Sequence, residues 1–131
     1  MTMENLAYEA MGAVITVGTP TAGSFPVAIQ LTNTQGGDIN HPAGVFFYLS
    51  KDADGSTICL DGTDTTSVTI GTDGLFPEIA GYATAVCGHL ISEADGDIDM
   101  TIVVLTTKIV YLVLVMPNGQ LIISSIMTYT A

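Results

Sequence analysis

The sequence predicts an all-β domain, an antiparallel sandwich of about eight strands in two layers. Three observations predict it. Val, Ile, Thr and aromatic residues recur in short runs, the composition that suits a pleated, half-buried surface. The runs are separated by dipeptides that supply the positive φ angles of tight turns: Gly36-Gly37, Asp54-Gly55, Asp61-Gly62, Asp73-Gly74, Asp95-Gly96 and Asn118-Gly119. Several runs also alternate apolar and polar residues with period two, the signature of a sheet with one wet face.

The first dozen residues differ from the rest. Met3, Leu6, Ala7, Ala10 and Met11 have helix-like spacing, and Gly12 ends the segment. Twelve residues make a marginal isolated helix. The segment reads either as a terminal turn packed on its own domain or as an arm that orders against a neighbouring subunit. As an arm it would offer Met3, Leu6, Tyr8 and Met11 to a partner. The division expected is an arm over 1–12 and one sandwich domain over 13–131.

Strands are expected near 13–17, 25–34, 44–50, 66–70, 83–92, 97–105, 108–116 and 120–129. In Phe25–Asn33, the residues Phe25, Val27, Ile29 and Leu31 share one face, with Pro26, Gln30 and Thr32 on the other. Asp97–Val104 turns Ile98, Met100, Ile102 and Val104 inward and Asp97, Asp99 and Thr101 outward. Val45–Leu49 and Ile109–Met116 are apolar on both faces, as central strands are, or strands whose outer face meets another chain. In 83–92 a helix competes, because Ile79, Tyr82, Val86 and Leu90 fall near helical spacing; Gly81, Thr84 and Gly88 argue against it. The sharpest local feature is the hairpin around Pro117-Asn118-Gly119. Pro117 and Asn118 suit the centre of a type I turn, and Gly119 suits the left-handed bulge position that follows.

Composition bounds the role. At 131 residues the chain is one domain long, and 48% hydrophobic residues against 11% charged ones are too apolar for disorder. Two basic and thirteen acidic residues give a net charge of −11, which repels phosphate and argues against nucleic-acid binding. The longest apolar run, Ile109–Met116, is far short of the ~20 residues of a membrane helix. Glu4 stands where a secretory leader would carry Lys or Arg, which points to folding in a cytoplasm. In that compartment Cys59 and Cys87 are expected as free, buried thiols.

Candidate chemistry is sparse. Asp95, Asp97 and Asp99 alternate along the chain and invite a calcium reading. An EF-hand loop would then require Gly at position 100 and Glu at 106, where the chain has Met100 and Thr106. A solvent-facing strand after an Asp-Gly turn explains the same residues, so Asp95, Asp97 and Asp99 stand as a weak metal candidate only. Asp52-Ala53-Asp54-Gly55 reads as a turn. His41 and His89 lack partners at metal-ligand spacing, and no Gly-x-Ser-x-Gly elbow or glycine-rich phosphate loop occurs. Paired acids on a sandwich can cleave glycosides, but no Trp exists to form a sugar platform. The expectation is a protein that is not an enzyme and uses no cofactor.

The order of features carries a resemblance. Ala13–Gly18, Val27–Leu31, Val45–Ser50, Ile70–Leu75, Ser92–Ile98 and Tyr111–Leu121 follow one another in a pattern of strands and turns that resembles small Ig-like head proteins of tailed bacteriophages, the capsid decoration (cement) class. The likeness spans roughly residues 13–130 and includes no catalytic signature. The antibody-type Cys…Trp…Cys hallmark is absent. The resemblance implies an Ig-like sandwich, the major capsid protein as partner, self-association with a homotrimer favoured, and a place on the virion surface after assembly in the host cytoplasm. It implies no nucleic-acid or membrane partner. Two rivals stay open: another phage part (tail, head fibre or knob), and a calcium-dependent adhesin-like binding module.

Overall fold

The computed structural model of the protein describes residues 10–59, 65–71, 73–76, 87–105 and 107–129. Among these residues there is no helix. Nine strands form: β1 (Gly12–Val17), β2 (Ser24–Thr32), β3 (Gly44–Ser50), β4 (Thr65–Ile70), β5 (Cys87–Ile91), β6 (Asp97–Val104), β7 (Ile109–Val115), β8 (Leu121–Ile123) and β9 (Met127–Thr128). They make two antiparallel sheets. The first has the order β1-β2-β6-β4; the second has the order β5-β3-β7-β8, with β9 also pairing β7.

The two sheets share one core in a sandwich-like arrangement. Phe25, Val27, Ile29 and Leu31 of β2 and Ile98, Met100, Ile102 and Val104 of β6 are all buried, as alternation predicts. They meet Val45, Phe47 and Leu49 of β3, Leu90 of β5, and Val110, Leu112 and Leu114 of β7. Phe47 packs edge-to-face on Phe76 with ring centroids 5.3 Å apart, the arrangement that the ring quadrupoles favour.

Turn chemistry fixes the registers. At the β7–β8 hairpin the Gly119 N–H donates to the Met116 carbonyl at 2.8 Å, and Gly119 has φ 86°. This is the type I turn with a left-handed bulge expected from Pro117-Asn118-Gly119. The β1–β2 turn lacks an Asn-Gly or Asp-Gly signal. Thr21 and Ser24 exchange both backbone hydrogen bonds at 3.0 Å, and Ala22 (φ 49°) and Gly23 (φ 82°) occupy the two left-handed central positions. Its geometry is that of a mirror-image hairpin turn.

Both strands that are apolar on two faces lie inside their sheet: β3 runs between β5 and β7, and β7 between β3 and the β8–β9 edge. Three expectations change. The strand predicted over 120–129 is broken at Ser124-Ser125-Ile126 into β8 and β9. The strand predicted over 83–92 is Cys87–Ile91, with 83–86 outside the described residues. Gly12 does not end a helix; it opens β1, and the Met11 N–H donates to the Thr32 carbonyl at 2.9 Å. Ala10 is already part of the core. Met3, Leu6, Tyr8 and the Asp61-Gly62 turn lie outside the described residues.

Candidate functional site

Alternation along β6 turns Asp97 and Asp99 onto the outer face of the four-stranded sheet, opposite Gln30 and Ala28 of β2. The third carboxylate there is Asp73. The loop after β4 is tied to β6, because the Gly71 N–H donates to the Asp99 carbonyl at 2.8 Å and the Asp99 N–H to the Asp73 carbonyl at 2.9 Å. This pairing brings one carboxylate oxygen from each of Asp73, Asp97 and Asp99 within 4.8 Å of the others. Among the described residues no other group of three His, Cys, Asp or Glu ligands forms.

Three like charges this close cannot all ionise freely. Loss of hydration, hydrogen bonds to Asp97 and Asp99, and their negative charges push the Asp73 carboxyl up to about 6. The group therefore holds a proton in mildly acidic solution, and its oxygens have the chemistry that hard divalent cations take. Beside it runs an open groove of about 400 Å³, lined by small residues such as Thr16, Gly18, Ala28 and Gly71, with Asp99 on its wall. Among the described residues that line it there is no aromatic ring.

Asp95 does not join the group. Its side-chain oxygen accepts the Asp97 N–H at 3.2 Å, and its carbonyl accepts from Gln30 Nε2 at 2.7 Å. It shapes the turn into β6, where the Gly96 N–H closes on the Glu93 carbonyl at 2.9 Å. The alternating Asp95, Asp97 and Asp99 thus split into one turn residue and two members of the cluster. Asp73 was missed because only β4–β6 pairing brings it there. The Asp73-Gly74 dipeptide was visible, but as a turn signal.

The turn expected at Asp52-Ala53-Asp54-Gly55 forms, with the Gly55 N–H on the Asp52 carbonyl at 3.1 Å. Hydrogen bonds from Thr57 and Ser56, with Lys51 nearby, hold the Asp52 carboxyl below its usual range; the Ser56 hydroxyl donates to Asp52 Oδ2 at 2.9 Å. This turn folds over the outer face of the five-stranded sheet. The Tyr48 hydroxyl donates to the Gly55 carbonyl at 2.8 Å, and Val113 beneath is fully buried.

Around that turn the outer face stays apolar and open. By register it carries Phe46, Tyr48, Tyr111, Val115, Leu121 and Ile123, with no Asp, Glu, Lys or Arg in any strand of the sheet. Phe46 is 42% exposed, Ile109 44% and Leu121 41%. His89 and Cys87 lie on the same face of β5, opposite Phe46 and Tyr48. Cys87 is exposed, contrary to the expectation of two buried thiols, because it sits outward on an edge strand; Cys59 is buried, and no disulfide joins them. His41 Nδ1 lies 3.0 Å from the Pro42 carbonyl. Of the four arm residues, Met11 alone is described, half-buried at the start of β1.

No described helix is long and apolar enough to cross a membrane. Comparison with protein-family models, with curated proteins and with solved structures gives no match.

Proposed function

We propose that this chain is a structural protein of a tailed-phage particle, a decoration protein that seats on the outer surface of the head and bridges neighbouring major capsid subunits. The observation that carries the reading is the outer face of the five-stranded sheet. In a chain of net charge −11, a sheet whose strands hold no charged residue and leave Phe46, Ile109 and Leu121 over 40% exposed suits a surface covered by protein.

The strand order supports the Ig-like part. An Ig constant-type sandwich pairs its strands A-B-E-D and C-F-G. The order β1-β2-β6-β4 opposite β3-β7-β8 follows the same scheme when β5 is taken as an added strand beside β3. A stiff block of this kind needs no active site to clamp its neighbours. Specific seating of this sort buries roughly 1,200 Å² or more per site.

The test is binding of the purified, folded protein to undecorated expanded capsids. Saturable binding at micromolar concentration, weakened at least about tenfold by Phe46→Lys or Leu121→Lys, is the expected result. A folded protein that leaves capsids bare overturns the reading. Copy number in purified particles separates head from tail: a ratio near that of the major shell protein fits the head, and a few copies fit a tail, fibre or knob.

A further inference from the structure

A backbone nitrogen can attack the side-chain amide of the asparagine before it, and glycine leaves that nitrogen unshielded because it has no side chain. The chain has four asparagines, Asn5, Asn33, Asn40 and Asn118, and glycine follows Asn118 alone. Thr34 follows Asn33, and its β-branched side chain both shields the peptide nitrogen and stiffens the backbone. The imidazole of His41 crowds the nitrogen after Asn40.

The fold adds to this local chemistry. Asn118 and Gly119 are exposed at the tip of the β7–β8 hairpin. Apart from its chain neighbours, nothing lies within 4 Å of the place a Gly119 Cβ would take, so that side of the peptide is open to water. The Gln120 N–H donates to Asn118 Oδ1 at 3.0 Å. Such a bond folds the side-chain amide back over the Asn118–Gly119 peptide and holds the reacting atoms near one another. It also aims a backbone donor at the oxygen that turns negative when the amide carbon is attacked. Asn33 Oδ1 has donors too, from the Gln35 and Gly37 N–H groups at 2.9 and 3.1 Å, so the following residue is what separates the two. One contact opposes the attack: the Gly119 N–H is bonded to the Met116 carbonyl at 2.8 Å. That bond must open first, and an exposed hairpin tip opens locally at little cost.

We infer that Asn118 is a self-modification site, at which the folded chain converts its own asparagine into aspartate and isoaspartate. Hydroxide takes the Gly119 amide proton, and the nitrogen forms a bond to Asn118 Cγ. The Cγ–Nδ2 bond then breaks, and Nδ2 leaves as ammonia with a proton from water. Water opens the succinimide that results. Breaking the new N–Cγ bond gives aspartate; breaking the original backbone C–N bond gives isoaspartate, whose backbone is one methylene longer. The net change consumes a water and releases an ammonia, with no oxidation or reduction. Either product sets a negative charge at the end of a sheet whose strands hold no charged residue. The added methylene of isoaspartate falls between Met116 and Gln120, where the Met116 N–H donates to the Gln120 carbonyl at 2.9 Å, and so loosens the hairpin. This inference does not depend on the capsid reading.

Incubation of the folded full chain in mildly alkaline buffer, followed by peptide mapping in a mass spectrometer, tests it. The peptide that holds Asn118 is expected to gain the mass of an amide-to-acid exchange and to split into an aspartate and an isoaspartate form. Its rate should exceed that of the Asn33 and Asn40 peptides at least about tenfold, a barrier lower by ~1.4 kcal/mol. Asn118→Gln, whose longer side chain closes its ring far more slowly, is expected to abolish the change. Gln120→Pro removes the donor to Asn118 Oδ1 and is expected to slow it severalfold. The same chain unfolded in urea serves as a comparison that needs no variant. An Asn118 that keeps its amide in the folded chain while the unfolded chain converts would overturn the inference. So would conversion no faster than at Asn33 and Asn40, or a rate that Gln120→Pro leaves unchanged.

Discussion

The Ser124 hydroxyl accepts the Leu112 backbone N–H at 2.9 Å and donates to the Ser125 carbonyl at 2.8 Å, while the Ser124 N–H donates to the Leu112 carbonyl at 2.9 Å. At the break between β8 and β9 a side chain thus replaces a ladder carbonyl, and a buried amide of the central strand keeps its partner. Ser124→Ala leaves the Leu112 N–H unsatisfied in the core. The expected cost is about 1–3 kcal/mol, read as a lower urea midpoint with an unchanged slope.

The acidic cluster makes stability depend on pH in a definite direction. Asp73 titrates near 6 in the fold against an ordinary value of 3.8, so between these values the folded state holds a proton that the unfolded chain has released. Stability from this group is highest below about 3.8 and falls as pH rises, with the loss complete above about 6. Asp52 acts in the opposite sense, losing its contribution as pH drops through the acid range. Protonation of Asp73 relieves the charge repulsion, so Tm is expected to rise as pH falls from 7 to 5. In Asp73→Asn, Tm at pH 7 is expected to rise and that gain to shrink. A variant that melts with the wild-type pH profile would contradict the assignment.

Among the described residues, two other than glycine adopt left-handed backbone conformations, Ala22 (φ 49°) and Thr107 (φ 68°). Thr107 is β-branched and sits in the turn before β7, where the Lys108 N–H reaches the Leu105 carbonyl at 3.0 Å. Thr107→Gly and Ala22→Asn each relieve this strain, and each is expected to stabilise the fold by roughly 1 kcal/mol. Equilibrium unfolding in urea measures it.

Gly96 has φ 84°, and a Cβ there would lie 2.7 Å from Ile39 Cγ1, 2.8 Å from Gln30 Nε2 and 3.0 Å from the Leu31 carbonyl oxygen. Conformation and space both exclude a side chain. Gly96→Ala is expected to cost more than about 2 kcal/mol and to disturb the entry into β6, where Asp97 begins. Thermal melting with near-ultraviolet circular dichroism checks it.

Legibility followed the range of the forces involved. The alternation of Phe25–Leu31 and Ile98–Val104 names the buried face directly, and Pro117-Asn118-Gly119 fixes its own turn, because period and turn chemistry are local. The break at Ser124–Ile126 was hidden: nothing in that aliphatic run states that a hydroxyl will take over a ladder position. The β1–β2 turn was hidden too, since Ala22-Gly23 lacks the usual Asn or Asp. The acidic cluster was half legible. Asp97 and Asp99 share a face by alternation, but Asp73 reaches them only through β4–β6 pairing, which no local pattern encodes.

The β1–β2 hairpin is complete by Thr32, yet its other neighbour, β6, begins at Asp97, about 65 residues later. At roughly 5–20 residues per second of synthesis, the nascent hairpin waits several seconds on the ribosome with Val27, Ile29 and Leu31 uncovered. An uncovered apolar hairpin of this kind is a target for chaperones and for aggregation, and slower elongation would lengthen its exposure.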